Sequence, residues 1–115
     1  MKNELELRTK RFALAIIQLV ASLPKNKVSD VIAYQVLKSG TSVGANYREA
    51  SRAQSKDDFI HKISICEKEA AETEYWLELI QDSNLTSMDF NVLLNESREL
   101  LAIFVSSGRT AKNNR

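Results

Sequence analysis

The sequence is short of the residues that interrupt helices. It contains one proline and three glycines in 115 residues, and these residue types supply most turns and breaks. A chain with so few breakers favours a small number of long elements, and we expect these elements to be helices. No segment alternates apolar and polar residues over enough positions to predict a strand.

Cysteine is nearly absent as well. Cys66 is the only one, which excludes an intramolecular disulfide and gives no basis for a cysteine-ligated metal site.

The longest apolar run, residues 12–23, is interrupted by Gln18 and Ser22 and is too short to cross a bilayer. The first ten residues, MKNELELRTK, are too charged for a signal peptide. We therefore expect a cytoplasmic protein.

Apolar residues recur with the period of a helix in four segments. With 43% hydrophobic and 27% charged residues, the composition is that of a folded protein with one core. The apolar stripes predict helices at about residues 3–22, 29–51, 55–81 and 87–107. The clearest stripe, in the third segment, is Phe59, Ile63, Cys66, Ala70, Thr73, Leu77 and Ile80. We predict an all-α fold, an antiparallel up-down four-helix bundle that forms a single domain over residues 1–115, with a basic tail at 109–115.

The second predicted helix has a polar stripe beside its apolar stripe. Its members, four and three residues apart, are Gln35, Ser39, Ser42, Asn46 and Glu49. Because buried polar groups need partners, we predict that these residues form a structural polar network with Glu69 and Glu72 of the third helix. A ligand site is the alternative. Gly40 and Gly44 lie in the same helix, and they indicate either the close approach of a neighbouring helix or a local kink.

The sequence offers little for catalysis. The single histidine, His61, has no partner in a recognisable motif, and Cys66 falls on an apolar seam, where a thiol is inert. The Glu-x-x-His pattern of carboxylate-bridged metal bundles is absent, and no Gly-Lys-Ser/Thr segment marks a phosphate-binding loop. We predict a protein that is not an enzyme, with no catalytic residue, metal or cofactor.

Charge is distributed unevenly along the chain. Residues 1–56 contain ten Lys or Arg and four Asp or Glu, a net charge of +6, so the remaining residues carry −5 to reach the overall +1. One interpretation is an ordinary solvated surface with oppositely charged helices side by side. The other is a basic face for a nucleic acid, and its candidate phosphate contacts are Arg8, Lys10, Arg11, Lys38, Arg48, Arg52 and Lys56. No aromatic residues alternate with these cations, so we expect weak sequence specificity.

Several of these residues together resemble a known family. The pattern is Leu23-Pro24-Lys25, then Gln35-x-x-x-Ser39-x-x-Ser42-Val43-x-Ala45-Asn46-Tyr47-x-Glu49-Ala50, then Ser55-x-x-Asp58-Phe59, Glu72-Thr73 and Trp76-Leu77. Over about residues 10–105 it resembles the bacterial four-helix-bundle family of proteins encoded in intervening sequences of 23S ribosomal RNA genes, also called the S23 ribosomal protein family. Relatives of that family include accessory proteins of diversity-generating retroelements, which bind nucleic acid and a reverse transcriptase. The resemblance implies an antiparallel four-helix bundle and a ring-like homo-oligomer, a pentamer.

Two functions are consistent with these features. The leading hypothesis is a non-enzymatic oligomeric bundle that binds RNA or another nucleic acid through a basic surface. The alternative is a protein–protein scaffold or accessory subunit without direct nucleic-acid binding, in which the opposite charges of the two halves pair between neighbouring subunits. An exposed basic surface favours the first hypothesis, whereas cations buried against acids favour the second.

Overall fold

Four helices account for most of the chain. The computed structural model describes residues 3–114, and in that range it contains α1 (Glu4–Ser22), α2 (Lys27–Ala50), α3 (Lys56–Asp82) and α4 (Asn91–Asn113), with no strand. Short connections join helices of alternating direction into a bundle that measures 47 × 25 × 22 Å. The all-α four-helix bundle predicted from the apolar stripes is confirmed.

Side-chain caps set the start of three helices. Asn3, Asn26 and Ser55 each accept a hydrogen bond from a backbone N–H in the first turn of the helix that follows. The cap at Asn26 starts α2 two residues earlier than the predicted position 29, and Ser29 lies inside the helix, where it is buried. Ser55 caps α3, whose predicted start was residue 55.

The fourth helix begins later than predicted. The apolar stripe predicts a start at residue 87, whereas α4 begins at Asn91. The side chain of Thr86 accepts a hydrogen bond from the backbone N–H of Met88, and that of Asp89 accepts one from Asn91. These local bonds hold the connection in turns that compete with helix formation.

The same helix also ends later than predicted, because Gly108 does not terminate it. Gly108 is buried, and a Cβ at this position would lie 3.5 Å from Cγ2 of Ile63 on α3. Ala111, one turn later, is buried too. These small residues allow the last turns of α4 to pack closely, so burial extends the helix past the glycine signal. Residues 109–113 are therefore helical and not a tail, and Arg115 lies outside the described residues.

One face of each helix forms the core. The α3 stripe is buried from Ile63 to Ile80, which confirms the strongest periodic signal in the sequence. The largest fully buried apolar side chains come from all four helices and are Ile16, Leu19, Val36, Val43, Ile63, Leu77, Ile80, Leu100 and Phe104. Such a shared core holds the outer faces of the helices in fixed relative positions.

The seams between neighbouring helices differ in closeness. The α1–α2, α2–α3 and α3–α4 pairs pack along their length, whereas α1 and α4 meet at few points. A Cβ on Gly40 would lie 2.8 Å from Cγ1 of Ile16, and one on Gly44 would lie 3.3 Å from the carbonyl oxygen of Thr9. The glycines indicated either a close neighbouring helix or a local kink. In the structure they allow α1 to approach α2 closely.

Candidate nucleic-acid interface

One of the seven predicted cations is engaged by acids of the protein itself. Arg8 on α1 donates from Nε to Oε2 of Glu96 at 2.7 Å and from Nη2 to Oε1 of Glu96 at 2.8 Å. It also donates to Glu99 at 2.8 Å. The hydrogen bond to Glu96, opposed by burial and reinforced by Glu99, raises the pKa of the guanidinium. The charge of Arg8 is therefore used in ion pairs that join α1 to α4.

Two other cations, Lys10 and Arg48, lie on the walls of a groove between α1 and α2. The groove has a volume of about 300 Å³, and its lining also includes Glu6 and small residues such as Ala13, Gly44 and Ala45. Both cations are exposed. The arrangement places positive charge on both sides of a shallow channel.

Further cations lie beyond this groove, at the end of the bundle where α2 ends and α3 begins. Arg52 follows α2 and Lys56 opens α3, and both are exposed. Nζ of Lys56 lies 3.4 Å from the carbonyl oxygen of Asn114, so the end of α4 reaches the same place. We call the resulting set the basic end: Lys10, Arg48, Arg52, Lys56, Arg109 and Lys112.

Sequence reasoning missed Arg109 and Lys112. The sequence predicts a tail at these positions, because Gly108 is a common helix-ending signal. The structure places them on the last turns of α4, where they line a shallow groove with Glu67 of α3. The buried alanine at position 111 is the sequence feature that continues the helical pattern past Gly108.

The structure therefore brings together some of the predicted cations and separates others. Lys38 is exposed on α2, ten residues before Arg48, which corresponds to about 15 Å along a helix. Arg11 lines a different groove, between α1 and α4. The predicted residues that meet at the basic end are Lys10, Arg48, Arg52 and Lys56, and those that lie elsewhere are Arg8, Arg11 and Lys38.

Two of the carboxylates near the basic end have local partners. Glu6 accepts a hydrogen bond from Oγ of Ser51 at 3.0 Å, and Glu49 lies 3.8 Å from Nζ of Lys62. Lys10, Arg48 and Arg52, in contrast, make no ion pair with any residue between 3 and 114. The unpaired cations are thus free to meet an external anion.

The polar stripe of α2 is satisfied mostly within its own helix. Ser42 Oγ donates to the carbonyl of Lys38 at 2.6 Å, and Asn46 Nδ2 donates to the carbonyl of Ser42 at 2.8 Å. Ser39 differs, since its Oγ lies 2.9 Å from Oγ1 of Thr73 on α3 and both side chains are fully buried. This hydroxyl pair fixes the register of α2 against α3 at the centre of the bundle.

The other members of the predicted network are not joined to one another. Glu72 accepts a hydrogen bond from Nε1 of Trp76 on its own helix at 3.2 Å. The side chains of Gln35 and Glu69 make no hydrogen bond or ion pair with another residue in the described part of the chain. The α2–α3 seam therefore contains one buried hydroxyl pair and one ion pair, with local bonds around them.

The thiol and the imidazole lie in different surroundings. Cys66 is fully buried, with Sγ 3.9 Å from the carbonyl oxygen of Val43. Burial raises the pKa of the Cys66 thiol to about 12, so the reactive thiolate is disfavoured. His61 is exposed on the outside of α3.

Comparison with known proteins covers nearly the whole bundle. The sequence profile of the 23S rRNA-intervening sequence protein family matches residues 2–106. The chain belongs to this family. It is also similar to the crystal structure of a protein of unknown function from the S23 ribosomal protein family of Bacteroides thetaiotaomicron. The two chains are 41% identical with a TM-score of 0.79, over 90% of this chain and 96% of that one. No curated protein matches the chain.

The exposed apolar residues of the protein are concentrated on two helices. Within residues 3–114, eight large hydrophobic side chains are exposed, and five of them are on α1 and α2. None of the helices in that range combines the length and the apolarity required to cross a membrane. We call four of the exposed side chains, two on each of α1 and α2, the apolar patch: Leu14, Ile17, Val31 and Tyr34.

A second apolar surface of the protein lies at the sparsely packed seam between α1 and α4. A groove of about 310 Å³ opens there, and Phe12, Ala15, Phe90 and Val92 contribute to its lining. We call it the α1–α4 groove. Val92 is 85% exposed. Of the four seams between neighbouring helices, this one is the most sparsely packed.

Proposed function

We propose that this protein binds RNA or another nucleic acid through the basic end and catalyses no reaction. The observation that carries the proposal is the contrast between two kinds of cation. Arg8 is held by two glutamates, whereas Lys10, Arg48 and Arg52 are exposed and make no ion pair within residues 3–114. Exposed cations on a rigid surface suit the phosphates of a nucleic-acid backbone.

The chemistry of the basic end supports backbone binding with little base recognition. Tyr34 and Tyr75 are exposed, yet neither belongs to the basic end. Phe59 lines a groove with Lys56 but is only partly exposed, so little exposed ring surface for stacked bases accompanies these cations. Lysine and arginine contacts to phosphate depend on charge and carry little sequence information. The expected ligand is therefore recognised by its phosphate spacing and shape.

Fluorescence anisotropy with a labelled, structured RNA tests the proposal. The variant combines Arg48→Gln with Arg52→Gln, both exposed positions, so the fold is preserved while two positive charges are lost. We expect weaker binding and a slope of log K against log salt that is shallower by about 1 for each cation removed. The matched control is Lys68→Gln, an exposed lysine on the outer face of α3, which should bind as the wild type does. Equal affinity and equal salt slope for wild type and the double variant would contradict the proposal.

The apolar patch supports a second proposal, that the chain is a self-associating scaffold. Exposed apolar surface on a small protein marks interaction sites, and here Ile17 and Tyr34 are exposed on neighbouring helices. Leu14 lies one helical turn after Lys10 on α1, whereas Arg52 and Lys56 lie beyond the opposite end of α2 from Val31 and Tyr34. Self-association through the patch therefore leaves most of the basic end open, and the two proposals are compatible.

Light scattering over a range of protein concentrations tests self-association. We expect the wild type to have the mass of several chains, and Ile17→Asp to lower that mass, since a charge at this position has to be desolvated in the contact. Tyr75→Asp, which alters an exposed tyrosine outside the patch, is the control and should leave the mass unchanged. A wild type that remains a single chain at every concentration would overturn this second proposal without affecting the first.

A further inference from the structure

We infer that a groove between the start of α3 and the end of α4 binds the ribose of an RNA strand, so that the protein prefers RNA to DNA of the same sequence. The inference rests on the nucleic-acid binding proposed above and goes beyond it by naming the kind of strand. We call this groove the hydroxyl groove, and its walls include Lys56 and Phe59 of α3 with Ser106, Ser107 and Thr110 of α4.

The hydroxyl groove is continuous with the basic end, because Lys56 belongs to both. Nζ of Lys56 lies 3.4 Å from the carbonyl oxygen of Asn114, so the lysine is positioned at the edge of the groove. An ammonium group has three donor hydrogens, and this contact leaves others for a phosphate. A strand whose phosphate contacts Lys56 therefore places a neighbouring sugar at the groove.

The size and lining of the hydroxyl groove suit a sugar. Its volume is about 420 Å³, which falls in the range of roughly 300–1,000 Å³ that is typical of sites for small molecules. Phe59, which is half-buried, and Ala111 contribute apolar surface beside the serine and threonine hydroxyls. A ribose has the same mixture, because its apolar ring carbons lie beside hydroxyls that both donate and accept.

The hydroxyls of this groove differ in their hydrogen bonding from most hydroxyls on the four helices. Ser64 and Ser97 donate to a backbone carbonyl three residues earlier, at 2.6 and 2.7 Å, as is common within helices. The side chains of Ser106, Ser107 and Thr110 make no hydrogen bond with any residue from 3 to 114. Because residues three and four apart share one helix face, these hydroxyls lie together and can bind an external group.

The 2′-hydroxyl is the group by which a protein distinguishes RNA from DNA. A deoxyribose in the hydroxyl groove would offer no 2′-oxygen to Ser107 or Thr110, whereas the phosphates that contact the basic end are the same in both strands. The basic end therefore supplies affinity for either strand, and the hydroxyl groove adds a preference for RNA.

Fluorescence anisotropy with matched RNA and DNA strands, at one salt concentration, tests the inference. Single strands built from adenine, cytosine and guanine alone differ only in the 2′-hydroxyl. The variant combines Ser107→Ala with Thr110→Val, which removes two hydroxyls with little change of shape. The matched control is Ser64→Ala, since this exposed serine on α3 already donates to the carbonyl of His61. Circular dichroism checks that each variant retains its helices.

We expect the wild type to bind the RNA about tenfold more tightly than the DNA, because two neutral hydrogen bonds are absent from the DNA complex. The double variant should bind both strands with the affinity that the wild type has for DNA, and Ser64→Ala should keep the wild-type ratio. Equal affinity of the wild type for both strands would overturn the inference and leave the proposed function in place. A double variant that keeps the ratio, or that loses affinity for both strands equally, would overturn the role of the hydroxyl groove. A wild type that binds neither strand would contradict the proposed function and this inference together.

Discussion

Replacing Gly40 by alanine tests the close approach of α1 and α2. A Cβ at this position would lie 2.8 Å from Cγ1, 3.1 Å from Cγ2 and 3.3 Å from Cβ of Ile16. Ile16 is fully buried, and these atoms belong to the base of its side chain, so a simple rotamer change does not remove the overlap. One of the two helices has to shift.

Two opposing effects set the magnitude. Alanine is better than glycine in a helix interior by about 1 kcal/mol. Forcing an extra carbon into a packed core costs about 1–3 kcal/mol. We therefore expect Gly40→Ala to lower the free energy of unfolding by about 1 kcal/mol, because the steric cost exceeds the gain in helix propensity.

The chain offers a matched control at Gly108. There the added Cβ would lie 3.5 Å from Cγ2 of Ile63, an ordinary contact distance, and the same glycine-to-alanine change should raise the free energy of unfolding by about 0.5–1 kcal/mol. Urea unfolding followed by circular dichroism, at one protein concentration for both variants, gives the two values. The expected gap between them is about 1.5–2 kcal/mol. A Gly40→Ala protein as stable as Gly108→Ala would refute the steric argument.

Three further changes have defined outcomes. Glu96→Gln should reduce stability by about 0.5–1 kcal/mol, an effect that shrinks in high salt, because it weakens the two-point contact to the partly exposed Arg8; a double-mutant cycle with Arg8→Met measures the coupling, and zero coupling would contradict it. Ser39→Ala should cost about 1 kcal/mol in urea unfolding, since it removes the buried hydrogen bond to Thr73, whereas unchanged stability would show that this bond contributes nothing. Burial raises the pKa of Cys66 from 9.0 to about 12, so the folded state binds the thiol proton more tightly than the unfolded state does. The associated stability is present below pH 9 and is lost as the pH rises above it; Cys66→Ala should lack that component, and identical pH profiles for the two proteins would disprove it.

The helices of this protein follow from the sequence where burial and periodicity agree. The α3 stripe from Ile63 to Ile80 was predictable because every fourth or third residue is apolar or small and all of them are buried. The end of α4 was not, because the local signal of Gly108 conflicts with its tertiary contact to Ile63. Tertiary packing overrides a local propensity of that size.

The candidate site was predictable in its residue types and less so in its grouping. Arg8 looked equivalent to Lys10 in the sequence, since its partner Glu96 is 88 residues away and no local pattern reveals that pairing. Arg109 joins the basic end only because α4 continues past Gly108. The fold determines which cations form ion pairs within the protein. The cations left unpaired are the ones available to bind a phosphate.

Mapping of the bound surface by NMR tests the central claim most directly. Backbone amide shifts are recorded as structured RNA is added to the protein at moderate salt. We expect the largest changes around Lys10, Arg48, Arg52 and Lys56, with little change on the outer face of α3 near Lys68. Saturation of the RNA without any shift at the basic end, or shifts confined to the outer face of α3, would contradict the proposal that the unpaired cations bind nucleic acid.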